Sequence, residues 1–147
     1  RVISFADKNC SSIIPKHKFT NEDVTIWNSM TDLDKIISFI DSQDINQYMN
    51  FIVDRLFASN KYFNDQEPWK KKDDELRLNT IVYTTLEMIR KITFMLYPII
   101  PETTLKVLKI FDLKDTDIVF SSISDHDFLK PNSKINSIDI LFKKIEK

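Results

Sequence analysis

The chain has 147 residues, 42% hydrophobic and 12% aromatic, enough for one domain with a packed core and too apolar for a disordered segment. It contains no glycine, which argues against phosphate-cradling glycine loops and against sheets turned by tight hairpins. A net charge of −1 argues against general polyanion binding and leaves room only for a small, local nucleic-acid site. The first residue is Arg1 and not methionine, as expected of a fragment or a processed product. Cys10 is the sole cysteine, so no internal disulfide is possible and a reducing cytoplasm fits. No apolar run is long enough to span a bilayer.

Taken in chain order, Val2, Phe5, Ala6 and Asn9 share one helical face, and Pro15 stops that helix. Thr20 with Asp23 three residues later reads as a capping pair. A stripe of Val24, Trp27, Met30, Leu33, Ile36, Ile37 and Ile40 then continues as helix. Asp44 with Gln47 opens the next helix, whose apolar series is Ile45, Tyr48, Met49, Ile52, Val53, Leu56, Phe57 and Asn60. Pro68 ends it. Asp73, Asp74 and Glu75 put negative charge where a helix N-terminus favours it. The longest stripe follows, Leu78, Ile81, Val82, Thr85, Leu86, Ile89, Ile92, Thr93 and Leu96, and Pro98 and Pro101 break it. Pro101 suits the first position of a last helix carrying Leu105, Leu108 and Phe111. From Asp112 the periodicity fades. The ending IDILFKKIEK reads as a short strand or an extended segment packed on the rest. The expected fold is all-α, a bundle of four to five helices over residues 1–112 with an irregular extension, 113–147, in the same domain.

Catalytic chemistry is hard to find. Zinc needs close pairs of Cys or His, and Cys10, His17 and His126 have no such spacing. A Cys10–His17 nucleophile pair is weaker than the reading of Cys10 as a small buried residue. The acids from Asp112 to Asp127 lack the glycine of a calcium loop. The serine-nucleophile elbow needs glycines that are absent. The chain is therefore not expected to be an enzyme by itself, and no cofactor or metal is expected in it.

NKYFNDQEPWKKKDDE, residues 60–75, places Trp69 in a very polar turn. One reading is packing, an indole plugging the gap between two helices. The other is a stacking platform for an unpaired base, with Lys70, Lys71 and Lys72 meeting phosphates. Those lysines also fit a solvated charged face. Trp27 lies on a helical stripe and reads as core. A helical protein-interaction module is the alternative from another class, since its bundle would show much the same pattern.

SNKYFNDQEPWKKKDDE, residues 59–75, resembles the Asn-Lys/Arg-Tyr…Pro-Trp segment of bacterial methionyl-tRNA synthetases. RVISFADKN resembles the helix that enters their anticodon-binding domain. FMLYPIIPETTLKVLKIF, 94–111, resembles the family's Leu-x-Pro-(two apolar)-Pro junction. LFKKIEK resembles the Leu-Phe-Pro-Arg-Ile-Glu ending, with Lys143 and Lys144 in place of Pro-Arg. The matches run in family order over nearly the whole chain, although related class I synthetases share the helical bundle.

The resemblance implies an anticodon-binding domain whose partners are methionine tRNA, through its anticodon loop, and the catalytic domain of a parent chain. It implies that Trp69 stacks on the first base of the CAU anticodon and that Arg1 donates hydrogen bonds to anticodon bases. The family's asparagine partner of Arg1 falls four residues before it, outside this chain. Asn60 is expected to be a buried amide fixing neighbouring backbone or an RNA contact, with Lys70, Lys71 and Lys72 as supporting or RNA-backbone contacts. ATP with Mg would serve the parent's catalytic domain, whose His-Ile-Gly-His and Lys-Met-Ser-Lys-Ser signatures are absent from this sequence. The parent is expected in the cytoplasm.

Overall fold

The computed structural model describes residues 1–138 and 140–142. Among them the regular structure is helical: α1 (Val2–Asn9), α2 (Asn21–Met30), α3 (Leu33–Asp41), α4 (Ile45–Gln66), α5 (Glu75–Leu96) and α6 (Pro101–Leu108), with 3₁₀ turns at Pro68–Lys70, Lys109–Phe111, Asp115–Asp117 and Phe120–Ser124. The all-α expectation holds. Acids start the long helices as expected. Asp44 accepts from the Gln47 backbone N–H at 3.0 Å, and Asp74 from that of Arg77 at 3.0 Å. The Asp23 carboxylate reaches back to both the N–H and the hydroxyl of Thr20, at 2.8 and 2.9 Å. Pro101 stands at the start of α6.

The stripe from Val24 to Ile40 is not one helix. Asp32 caps a new start by accepting from the Lys35 N–H at 3.0 Å, so the chain breaks into α2 and α3. Its short carboxylate satisfies a free N–H better than it serves a helix interior.

The buried face of α4 also differs from the expected series. Tyr48, Phe51, Ile52, Ser59, Tyr62 and Phe63 are buried, while Ile45, Val53, Leu56 and Phe57 are exposed. Apolar residues cover more than one face of α4, so periodicity alone selects no single one. Four of its aromatic side chains, Tyr48, Phe51, Tyr62 and Phe63, face inward, where they remove most area from water, and Phe57 does not. Asn60 is exposed. The expectation of a buried amide is therefore corrected: Asn60 lies on the face of α4 that the bundle leaves to solvent.

α5 is the central helix. Sixteen of its residues are buried, on every side, including Glu87, Arg90 and Lys91. Arg90 Nε donates to Glu87 at 2.6 Å, and its Nη2 donates to the carbonyls of Ser122 and Asp125, each at 3.1 Å. Glu87 also accepts from the Leu129 N–H at 2.6 Å. Lys91 donates to the carbonyls of Ile123 and Asp125 and stands over the Trp27 ring. Burial first, and the Arg90 charge second, push its ammonium down to about 7. These bonds tie the segment after Asp112 onto the bundle.

The extension closes back on the start of the chain. Ile14 N–H donates to Ser133 O and Asn132 N–H to Ile14 O, both at 2.8 Å, and Ile135 N–H to Ser12 O at 2.7 Å. The one isolated bridge among the described residues, Ile13 with Lys134, belongs to this pairing. The expected extended segment at the very end lies partly outside the described residues, as do Lys143 and Lys144. Left-handed Ser11 and Ser12 turn the chain after α1, and left-handed Asp112 ends the turn after α6, where the periodicity fades.

A second buried charge joins three helices. Asp23 of α2 accepts from Arg77 of α5 at 2.7 Å and from the Tyr62 hydroxyl of α4. Burial pushes the Asp23 carboxyl up, but bonds from Arg77, Tyr62 and Thr20 outweigh it and hold it below the usual carboxylate range. Arg77→Met should cost about 3 kcal/mol of unfolding free energy, the low end for breaking a buried pair, because Tyr62 and Thr20 still donate. Urea denaturation would measure it.

His126 stacks on Trp27, with centroids 5.3 Å apart. Burial, and then the Lys91 charge, lower its pKa. As pH falls below about 6.5 the unfolded chain takes up a proton that the folded chain still refuses, so stability drops. The urea midpoint should thus be lower near pH 5.5 than near pH 7.5, and His126→Phe should narrow the gap.

Candidate nucleic-acid interface

The end of α4 sets the position of Trp69. Glu67 adopts φ 45°, the left-handed region, and turns the chain out of the helix. Pro68 then starts a three-residue 3₁₀ turn with the φ its ring fixes. The indole of Trp69, in that turn, is 37% exposed. Its inner side meets Phe63 in the last turn of α4, with centroids 6.1 Å apart and ring planes at 65°. Phe63 in turn packs against Phe5 of α1 at 5.7 Å and 85°.

Arg1, next to α1, reaches the same place. Its guanidinium carbon is 5.4 Å from the Trp69 centroid and 5.6 Å from that of Phe63. Both lie within the range of attraction between a cation and a ring face, about 6 Å. Two residues singled out from distant parts of the sequence therefore share one exposed rim, where Phe5 of α1 meets Phe63 at the end of α4. Arg1 suits base recognition because its planar fork of donors matches base acceptors and its plane also stacks.

The lysines divide. Lys70 is exposed and pairs with Glu67 at 2.7 Å, an exposed pair worth little and easily exchanged for a phosphate. Lys72 is exposed, and Lys71 is half-buried. Trp27 lies in the core as expected, fully buried, edge-on to Phe19 at 5.8 Å. Cys10 donates weakly to Asn79 rather than to His17, and burial, with the Glu75 charge, pushes its thiol up to about 11. His17 stacks on Tyr83 at 3.6 Å. The nucleophile pair disfavoured from sequence is not assembled.

Sequence reasoning missed Phe63, which touches Arg1, Trp69 and Phe5. It sits beside Tyr62 and off the series assigned to α4. The available signal was its place in the last helical turn before Pro68, one turn from the indole.

The fold is that of a tRNA-synthetase helical domain. The free-state crystal structure of Mycobacterium tuberculosis methionyl-tRNA synthetase overlays with a TM-score of 0.91 at 23% identity, over 100% of this chain and 31% of that one. A family model, the anticodon binding domain of methionyl tRNA ligase, matches residues 17–147, and the chain belongs to that family. It is 28% identical over 131 residues to the methionine–tRNA ligase of Mycobacterium leprae, covering 84% of this chain and 24% of that protein. It is 31% identical over 113 residues to that of Brucella suis biovar 1, covering 75% and 22%. The chain thus spans about a quarter of the length of the curated relatives it matches.

The two tryptophans differ in access to solvent. Acrylamide should quench Trp69 and spare Trp27, so that Trp69→Phe removes most of the quenchable fluorescence of the folded protein.

Proposed function

We propose that this domain reads the CAU anticodon of methionine tRNA, with Trp69 stacking on the first base and Arg1 donating hydrogen bonds to anticodon bases. The observation that carries the reading is the 5.4 Å approach of Arg1 to the indole on an exposed rim. A stacking surface and a planar donor side by side are what a splayed-out base requires. Lys70, Lys71 and Lys72 approach the loop phosphates. Asn60, exposed on the last turns of α4, is a further polar group for the RNA backbone. Residues 1–112 and the extension 113–147 work as one unit.

The chemistry belongs to the rest of the parent chain, which we read as an ATP-dependent methionine–tRNA ligase of the cytoplasm, using Mg with its ATP. A solved relative carries methionyl-adenylate, the compound expected from methionine and ATP. On this reading the present domain needs no cofactor. It holds the tRNA so that the catalytic domain charges the correct one.

A CAU stem-loop should shift the Trp69 indole N–H signal in NMR and leave that of Trp27 in place. A stem-loop with a changed first base should bind less tightly and shift it less. Trp69→Ala should weaken the CAU complex about 10-fold or more, since one stacked base is worth roughly 1–3 kcal/mol. Equal binding of both stem-loops by the wild-type and by Trp69→Ala would sink the reading.

A further inference from the structure

Phe63 is 2% exposed and has almost no surface to offer an RNA. Yet its ring contacts both members of the reading pair. Trp69 meets it at 6.1 Å and 65°, and the Arg1 guanidinium carbon stands 5.6 Å from its centroid. From α1, Phe5 braces it at 5.7 Å and 85°. The aromatic separations fall within the edge-to-face range of about 4.5–7 Å, in which the positive edge of one ring faces the negative face of another. The geometry points to Phe63 as the positioning residue of the anticodon-reading pair, a buried ring that fixes where Trp69 and Arg1 stand without touching the RNA. This rests on the reading of Arg1 and Trp69 given above.

The backbone alone does not fix the indole. Trp69 lies in a three-residue turn entered through a left-handed glutamate, a conformation that non-glycine residues adopt only when their surroundings hold it. The Arg1 guanidinium stands over the same two rings, Phe63 and Trp69. Phe63 is thus a shared neighbour of both members of the pair. An aliphatic side chain of similar size would fill the space. It would remove the ring edge that orients the indole and the ring face that attracts the guanidinium.

Phe63→Leu tests this in two stages. In the free protein the Trp69 indole N–H signal should move and acrylamide quenching of Trp69 should rise, with the Trp27 signal in place. Affinity for the CAU stem-loop should fall about 5-fold, and the same substitution in a Trp69→Ala background should cost less than about 2-fold, the non-additivity expected of residues in contact. Phe94→Leu is the control. Phe94 is 1% exposed and packs on Phe128, so it loses a buried ring elsewhere in the core. It should leave both readouts unchanged. Phe63→Tyr, which retains the ring, should keep affinity within about 2-fold of wild type, as a positioning role by the ring requires. Should Phe63→Leu fail to fold, Phe63→Met takes its place.

An unmoved Trp69 signal in Phe63→Leu overturns the proposal whatever the RNA does. An equal shift in Phe94→Leu overturns it too, because the effect is then general loosening. If Trp69→Ala leaves CAU affinity intact, the anticodon reading of Trp69 fails, and the free-protein signals still decide whether Phe63 positions it.

Discussion

Three ionisable side chains on α5 have left water, and the rest of the fold is arranged to satisfy them. Glu87, Arg90 and Lys91 are fully buried. An unpaired buried charge is far too costly for a domain of marginal stability, so each must find partners. Two bonds of the network, from Arg90 and from the Tyr83 hydroxyl to Glu87, stay within the helix. The carbonyls of Ser122, Ile123 and Asp125 and the N–H of Leu129 supply most of the others. The extension therefore cannot peel away without leaving charges unpaired. An irregular segment with little periodicity of its own acquires one path because its backbone serves as the counter-group for a helix.

The proposed reading site hangs from a second such cluster. Asp23, Tyr62 and Arg77 join α2, α4 and α5, and a shift of α2 takes the shared carboxylate away from both of the others. Tyr62 is fixed in the last turns of α4 by this bond, and Phe63 is the next residue. Its ring is consequently held against α1, where Phe5 meets it, and the indole of the following turn is held against the ring. The path from charge to site is short: a carboxylate fixes a tyrosine, the tyrosine fixes the end of a helix, and that end presents the tryptophan.

Much of this was legible in advance because it follows from local chemistry. The acid caps at Asp44 and Asp74, the Thr20–Asp23 pair and the proline breaks act within a turn or two of backbone, and each appears where the sequence puts it. Trp69 was singled out by its place in a polar turn and Arg1 by family resemblance, and the fold brings them together. What failed depended on neighbours. α4 carries apolar residues on more than one face, and which face goes inward is decided by the helices it meets, so Asn60 was expected inside and lies outside. α5 was assigned one apolar stripe, but a central helix is buried all round, and its charged residues look like a solvated face until the extension covers them. Phe63 had no family pattern to mark it, and its contacts with Phe5 and Trp69 exist only in the folded chain.

On the proposed reading, the exposure of Trp69 bears on how the site would distinguish bases. At 37% exposed the indole is neither core nor free surface. Packing against Phe63 removes rotamer freedom before any base arrives, so less ordering is required on binding. The guanidinium beside it adds a cation whose position is set by the same rings. A chain with net charge −1 has no broad positive field with which to gather RNA. Its affinity on the proposed reading must come from a few well-placed contacts, and those are also the contacts that differ between one base and another. Weak overall attraction and a rigid, local reader therefore belong together: the less a domain holds RNA by charge alone, the larger the share of its binding that depends on having the right anticodon.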